Sequence, residues 1–459
     1  MNKKTHRKKD RKKKISINQN WDIINANAAG IDLGSTEHWV AVPPDRDEQS
    51  VRGFGTFTHD LEALIQWLKQ CKITSVAMEA TGVFWIPLFQ LLEAHAFKVT
   101  LANARHLKNV TGRKSDISDC QWIQKLHTFG LIGGSFRPAD AYCVLRSYVR
   151  YRDELITARS TQIQHMQKAL QQMNVQLTQV LSDITGESGL AILEAILEGR
   201  RDPVELAALA NRRVKSPRSE IAKALVGDYR EEHLFQLKIA FELYHVYEAK
   251  IRECEDKMIA QLEKLPVRVD VKAKPLPPRF AQKTIDENLR LGLYLKFGVD
   301  ITAIEGIGAQ VALVLLSEAG ADMSKFPTVK HWTSWLGLCP DNRISGGKVL
   351  SCRTRRVVNR LANALRMAAT TLERSKTAMG AYYRRMKGKL GAAQAVTATA
   401  HKLARLVYGL LTQGDNYIRE SLEKYERRYH AAKLENLKRM AKSLGCDIVE
   451  YQPVPNLVS

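Results

Sequence analysis

Long apolar runs and patterned cysteines are both missing from this sequence of 459 residues. The best candidate for a membrane span, residues 307–316, falls well short of the roughly 18 residues that a membrane-spanning helix needs. No apolar segment follows the basic amino terminus, so we expect no secretory signal there. The seven cysteines form no Cys-x-x-Cys pairs, which is typical of reduced thiols rather than of disulfides or a zinc site. These absences predict a cytoplasmic protein with no membrane partner.

Acidic residues are scarce in two segments, where the positive charge concentrates. The chain carries 70 Lys and Arg against 48 Asp and Glu, a net charge of +22. Residues 1–14 hold nine Lys and Arg with only Asp10 opposing them, and residues 343–390 hold thirteen with only Glu373. Such local density favours nucleic-acid binding, because each neutralised phosphate releases condensed counterions.

The amino-terminal part of the chain alternates short strands and helices, which predicts an α/β domain. Residues 28–34 and 39–42 have the pattern of a β-hairpin, and further strands are expected at 76–79 and 98–102. Helices are expected at 61–68, at 84–94 and from an N-cap at Ser115 to about Phe129.

The remainder of the chain is predicted to be mostly helical. Residues 145–173 have few helix breakers, and residues 237–265 repeat apolar side chains at steps of three and four, as in a coiled coil, a long helical hairpin or an ordinary amphipathic helix. The predicted organisation is a basic disordered tail (1–20), an α/β domain (21–140), a helical coiled-coil region (141–265), a Pro-rich linker (266–299), a helical domain (300–412) and a charged helical tail (413–459).

Four carboxylates occupy the ends of elements in the α/β domain. Asp32 and Glu79 each end a predicted strand, and Asp116 and Asp119 lie one turn apart at the start of a predicted helix. Oxygen ligands of this kind suit two divalent cations, Mg²⁺ or by ligand type Mn²⁺, acting in phosphoryl transfer. Taken singly, each carboxylate is as compatible with a helix-dipole partner or a surface ion pair.

Ser345 precedes Gly346 and Gly347, which predicts a tight turn that exposes the serine hydroxyl. Arg343 and Lys348 lie beside it, and an Arg-rich segment expected to be helical follows. From residue chemistry alone, a serine before two glycines is more often a turn former than a nucleophile, and Ser351 is a second hydroxyl close by. The residues expected to bind nucleic acid are Arg113, Lys114, Arg343, Lys348, Arg353, Arg355, Arg356 and Arg360.

Several of these segments resemble a family of insertion-sequence transposases of the DEDD type. The segments at 30–35, 77–82 and 113–119 resemble its carboxylate motifs, and those at 335–340 and 345–348 resemble its carboxyl-terminal transposase domain. Cys120 stands where an alanine is usual in that family.

The resemblance implies a RuvC-like domain of the RNase H fold carrying Asp32, Glu79, Asp116 and Asp119, and a helical domain whose Ser345 joins covalently to DNA. It further implies site-specific recombination of double-stranded DNA, guidance by a structured bridge RNA, and a composite site in a homo-oligomer, a dimer or a tetramer. The expected setting is a prokaryotic cytoplasm, in association with the nucleoid.

Two alternatives remain open at this point. A RuvC-type structure-specific endonuclease needs the carboxylates but not Ser345. The segment 30–36 also matches the first phosphate loop of actin-like kinases, although no convincing second phosphate loop accompanies it.

Overall fold

A computed structural model describes residues 22–79, 82–102, 116–278, 286–355, 358–414 and 422–448. The predicted basic tail at 1–20 lies outside these residues. The chain divides into two compact units, residues 1–137 and 138–459.

The first unit is built on a mixed five-stranded sheet with the order β3-β2-β1-β4-β5. Strands β1, β2 and β3 pair antiparallel, whereas β1, β4 and β5 pair parallel. This arrangement is consistent with an RNase H-like α/β domain and confirms the four strands expected from the sequence. The strands are β1 (Ala28–Leu33), β2 (Glu37–Ala41), β3 (Val51–Gly55), β4 (Ser75–Glu79) and β5 (Lys98–Ala102).

Helices cover both faces of this sheet. They are α1 (Thr58–Gln70), α2 (Trp85–Ala94) and α3 (Asp116–Thr128). Helices α1 and α2 bury Leu64 and Leu88 with Ile31 and Met78 of the sheet in one apolar core. Helix α3 packs on the opposite face, against β1, β2 and β4.

Helices make up most of the second unit. They are α4 (Asp140–Gln172), α5 (Leu177–Val180), α6 (Glu187–Leu197), α7 (Pro203–Ala208), α8 (Arg218–Ala224), α9 (Glu231–Lys264), α10 (Glu287–Phe297), α11 (Ala309–Ala319), α12 (Val329–Trp335), α13 (Arg360–Thr371), α14 (Ala378–Leu390), α15 (Ala392–Gln413) and α16 (Leu422–Ser443). A two-stranded hairpin, β6 (Arg343–Ser345) and β7 (Lys348–Ser351), stands between α12 and α13.

The two longest helices, α4 and α9, form an antiparallel helical hairpin. Arg152 of α4 is paired with Glu255 of α9, and Gln261 near the end of α9 donates to the Ala141 carbonyl at the start of α4 at 3.2 Å. The apolar repeat of α9 is buried, with Ile251 only 5% exposed. The apolar repeat of α9 is buried against α4 of the same chain, so the repeat is no argument for oligomerisation.

Residues 174–230 connect the far ends of α4 and α9, and we call them the insert. Its four short helices bury Leu193, Leu206 and Ile221 against Met173 and Leu237 of the long helices. The insert is thus a small helical cap with its own apolar core.

The prediction of a linker at 266–299 was wrong for the second half of that segment, which is helical. Helix α10 begins after Asp286, whose side chain caps the backbone amides of Asn288 and Leu289. It buries Tyr294 and Phe297. Prolines occupy only the first part of that segment, so they did not preclude a packed helix afterwards.

The carboxyl-terminal helices pack around Trp332, which is fully buried and donates its indole N–H to the Ala404 carbonyl at 2.9 Å. Helix α16 lies within the segment predicted to be a charged tail, and its Tyr425 is buried. Across the described ranges, every helix is too short or too polar to cross a membrane.

Candidate active site

Asp32 and Glu79 lie at the carboxyl ends of two adjacent parallel strands. In the register of β1 and β4, Ile31 is opposite Met78, and one residue further along each strand lie Asp32 and Glu79. Ile31 and Met78 point into the core formed with α1 and α2. Because side chains alternate along a strand, Asp32 and Glu79 belong to the opposite face, the one that α3 covers.

Helix α3 approaches that face closely because Gly30 has no side chain. A Cβ at Gly30 would lie 2.2 Å from the Gln124 amide nitrogen and 2.4 Å from the Cys120 carbonyl oxygen. The side-chain amide of Gln124 also donates to the Ala28 carbonyl, at 3.4 Å. These contacts fix the start of α3, which carries Asp119, beside the end of β1.

The buried thiol of Cys120 lies within electrostatic range of both Asp32 and Asp119. Burial raises the pKa of Cys120 to about 12, and the negative charges of Asp32 and Asp119 contribute to that rise. A thiol that stays protonated is a poor metal ligand. The donors around it are therefore carboxylate oxygens, which fit a hard cation such as Mg²⁺ better than a soft one.

The structure brings together only part of the predicted carboxylate set. Asp116 begins α3, and its side chain is outside what the structure describes, as are Arg113 and Lys114. In the part of the chain that is described, no group of three or more His, Cys, Asp or Glu side chains is placed to hold a metal ion. Asp32, Glu79 and Asp119 remain the described members of the predicted set.

Ser345 lies in the second unit, on the β6–β7 hairpin. It pairs with Lys348 across a two-residue turn in which Gly346 and Gly347 have φ of +54° and +77°. Both values are positive, as in a type I′ turn, and glycine adopts them without steric cost. Ser345 and both glycines are exposed, so the turn predicted from the sequence is confirmed.

The two faces of this hairpin differ in chemistry. Ser345 and Lys348 form one cross-strand pair, and Ile344 and Val349 form the next, on the opposite face. Ile344 is 62% exposed and Val349 is 59% exposed. The hairpin therefore stands away from the apolar core of its unit. Its second strand occupies residues that we expected to be helical, and the helix starts only at Arg360.

The cationic residues near the hairpin fall into two groups. Lys348 and Arg353 are exposed. Arg355 is exposed but donates to the Ser334 carbonyl, and Arg360 lies 3.8 Å from Asp153 of α4. The side chains of Arg343 and Arg356 lie outside the described residues.

Gly30 and Gln124 were not singled out from the sequence as contributors to this region. The sequence did contain a signal for this contact, namely Gly30 inside a predicted strand, because a glycine in a strand often marks the close approach of another backbone. The partner of that glycine lies about 90 residues further along the chain, and no local pattern identifies it.

The comparisons with known proteins match both regions. Residues 29–175 match a family model described as a transposase, that of the DEDD transposases of IS110, and residues 300–384 match one described as the transposase IS116/IS110/IS902 family. These are domains of transposase enzymes.

The chain thus carries two domains of the IS110 family of transposases, in the order amino-terminal DEDD domain and carboxyl-terminal domain. It is also similar to an uncharacterized 43.6 kDa protein of the insertion element IS110 from Streptomyces coelicolor, with 31% identity over 120 residues. That match covers 26% of this chain and 29% of the length of the relative.

Proposed function

We propose that the chain is the transposase of an insertion sequence, a site-specific recombinase that cuts and rejoins double-stranded DNA through a covalent serine intermediate. The observation that carries this proposal is the presence of both transposase domains in one chain, with Ser345 exposed on a glycine hairpin in the second. Neither matched family is a kinase, so the kinase alternative has no support here.

Ser345 is the proposed nucleophile. Its hydroxyl oxygen forms a bond to the phosphorus of the DNA backbone, and the bond from phosphorus to the leaving deoxyribose oxygen breaks. The serine gives up its proton and the departing oxygen takes one up. Rejoining reverses these changes with the hydroxyl of the partner strand, so the phosphodiester energy is conserved and no ATP is needed. The exposed Ser345–Gly–Gly turn allows a bulky duplex to approach this hydroxyl.

Asp32, Glu79 and Asp119, with Asp116, are the residues that would hold Mg²⁺ or Mn²⁺. Bound there, the metal would supply charge neutralisation at the phosphate oxygens. The parallel pairing of β1 and β4 positions Asp32 and Glu79, and the contact of Gly30 with α3 positions Asp119. As the resemblance of the motifs implies, we propose that the carboxylates and Ser345 form a composite site in a homo-oligomer.

The exposed cations place the phosphate backbone near the serine. Lys348 is the cross-strand neighbour of Ser345, so its ammonium group is suited to neutralising the attacked phosphate. We further propose that a structured bridge RNA selects the DNA targets by base pairing. The support for this is the resemblance of the sequence motifs to RNA-guided recombinases, together with the basic charge of the chain.

The test is a denaturing gel of end-labelled DNA incubated with the protein, its RNA and Mg²⁺. We expect a protein-linked DNA band in the wild type and none in Ser345→Ala. Ser351→Ala is the matched control, because it removes a hydroxyl from the same hairpin, and it should keep the band.

An adduct that persists in Ser345→Ala would refute the assignment of the nucleophile. Cleavage to free ends in that variant, without any adduct, would instead identify a RuvC-type nuclease.

A further inference from the structure

The insert carries a concentration of positive charge in one loop. Residues 211–218, which we call the insert loop, contain Arg212, Arg213, Lys215 and Arg218 and no acidic residue. The insert as a whole (174–230) is balanced, with eight Lys and Arg and eight Asp and Glu. The excess in the loop is therefore local and does not reflect the general composition of the insert.

The four cations of the insert loop are exposed, and none has an acidic partner among the described residues. Three of the four other cations of the insert behave differently, because each pairs with a neighbouring carboxylate, whereas Arg201 donates to the Ile196 carbonyl. These pairs are Arg200 with Glu198 at 3.0 Å, Lys223 with Glu220 at 2.9 Å, and Arg230 with Glu232 at 2.8 Å.

The backbone of the insert loop is held by specific contacts. The amide of Asn211 donates to the Ser188 hydroxyl at 2.8 Å, and the Ser216 hydroxyl donates to the Val180 carbonyl, also at 2.8 Å. Val214 packs against the core of the insert. Val214 and Ser216 are half-buried, whereas Arg213 and Lys215 are exposed. The loop thus presents its cations on a preformed surface, which lowers the entropic cost of binding.

A surface cavity of about 570 Å³ adjoins these exposed side chains. Arg213 and Lys215 line it together with Thr178, Gln179 and Ser182, which add hydroxyl and amide donors. Two carboxylates, Asp183 and Glu187, also line the cavity. Asp183 Oδ1 accepts hydrogen bonds from the amide and hydroxyl of Thr185 at 2.8 and 2.7 Å, and Glu187 Oε2 accepts one from the Asn211 side-chain amide at 3.1 Å. Donors combined with cations suit a phosphate group.

The insert loop lies at the far end of the helical hairpin. Arg360 of α13 contacts α4 at Asp153, and the insert begins after Gln172. Nineteen residues of helix correspond to roughly 30 Å at 1.5 Å per residue. This distance is close to one turn of a nucleic-acid duplex, about 34 Å. A duplex that extends along α4 from the level of Asp153 is thus long enough to reach the tip of the hairpin.

We propose that the insert loop is a binding site for the phosphodiester backbone of a nucleic acid, at the distal end of the α4–α9 hairpin. This rests on the proposed function only in taking nucleic acid as the ligand. It assigns a binding role to a segment that lies outside both matched transposase domains.

The test compares two triple variants of the full chain by their salt-dependent binding. One is Arg212→Gln with Arg213→Gln and Lys215→Gln. The matched control, Arg200→Gln with Lys223→Gln and Arg230→Gln, removes the same number of charges from the same insert, but from ion-paired positions. Binding to a 30-base-pair DNA duplex and to a 30-nucleotide RNA hairpin is measured by fluorescence anisotropy over a range of salt concentrations.

On at least one of the two probes, the loop variant should flatten the plot of log affinity against log salt by about two to three units, and the control by less than one. The probe that shows the loss identifies the ligand as DNA or RNA. Equal slopes for the two triple variants on both probes would overturn the proposal and leave the loop as a solvated or protein-binding surface. Thermal melting checks that both variants fold.

The salt dependence of binding can be distinguished from the covalent chemistry. The loop variant should still form the Ser345 adduct at saturating DNA, whereas Ser345→Ala should keep the full salt dependence.

Discussion

The carboxylate region is packed within a domain, whereas the serine hairpin projects into solvent. Asp32 and Glu79 end strands in the middle of a five-stranded sheet, and a helix packed on Gly30 covers the face to which they belong. Ser345 lies at the tip of a two-stranded hairpin whose residues on both faces are exposed. The carboxylate region lies between an apolar core on one face of the sheet and helix α3 on the other. The hairpin is held by the pairing of β6 with β7, by the backbone bridge between Pro340 and Thr354, and by the contact of Arg355 with Ser334.

This difference agrees with the roles we propose. Metal ligands need rigid placement, because small displacements of a ligand change the geometry of the cation. A nucleophile that must reach a phosphate inside a bulky duplex benefits from projecting beyond the protein surface. An isolated two-stranded hairpin is marginally stable in water. We therefore expect binding of DNA to order the serine hairpin and to leave the carboxylate region nearly unchanged.

The largest expected effect is on the rigid region. Asp32→Asn or Asp119→Asn keeps the size of the side chain but removes the charge that a cation requires. Strand exchange should fall by at least about 100-fold, since even changes to groups outside the ligand shell cost roughly 10- to 100-fold. Calorimetry should show weaker Mn²⁺ binding, and Glu62→Gln on the exposed side of α1 should change neither property. Retained Mn²⁺ affinity in both Asp variants would remove the metal-site assignment.

A matched pair of isoleucine substitutions tests the contrast in packing. Ile31 on β1 is 0% exposed and Ile344 on β6 is 62% exposed. Ile31→Ala should lower the free energy of unfolding by about 4 kcal/mol, because it leaves a cavity in the core. Ile344→Ala should change it by less than about 0.5 kcal/mol. Urea unfolding of the full chain measures both, and losses of equal size would show that the hairpin is packed as tightly as the sheet.

The smallest effect concerns pH and again belongs to the first unit. Burial, aided by the charge of Lys98, lowers the pKa of His127 to about 4, and its Nε2 lies 2.6 Å from the Ser75 hydroxyl on β4. The unfolded chain binds the proton near pH 6.5 and the folded chain only near pH 4, so the unfolded state carries more protons between these values. The stabilisation of the folded state by neutral His127 is complete above pH 6.5 and is lost as the pH falls toward 4. The lowered pKa of His127 contributes at most about 3 kcal/mol to the free energy of unfolding.

The measurement is the free energy of unfolding at pH 7 and pH 5, for the wild type and for His127→Gln. The drop between the two pH values should be smaller in the variant. Part of the drop should remain, because burial also lowers the pKa of His38. An equal drop in both proteins would mean that His127 does not titrate in this range.

Local patterns predicted the strands and helices around the carboxylates well. Alternation and helical spacing are short-range signals, and the packing of helices on both faces of the sheet reinforces them. Strand β3 was not predicted, because Gly53 and Gly55 break its apolar pattern, and its pairing with β2 supplies the stability that its composition lacks. Helix α10 was not predicted because its burial depends on neighbours that are distant in the chain.

By itself, the sequence determined the charge of the chain, the strand-end positions of Asp32 and Glu79, and the glycine turn after Ser345, since each of these depends on a few adjacent residues. The tertiary structure decided which faces meet. It placed α3 on Gly30, so that Asp119 lies beside the end of β1. It also folded the apolar repeat of α9 onto α4 within one chain and carried the insert loop to the tip of that hairpin. These arrangements depend on packing between segments far apart in the sequence, where the burial of apolar surface selects the partner and no local spacing encodes it.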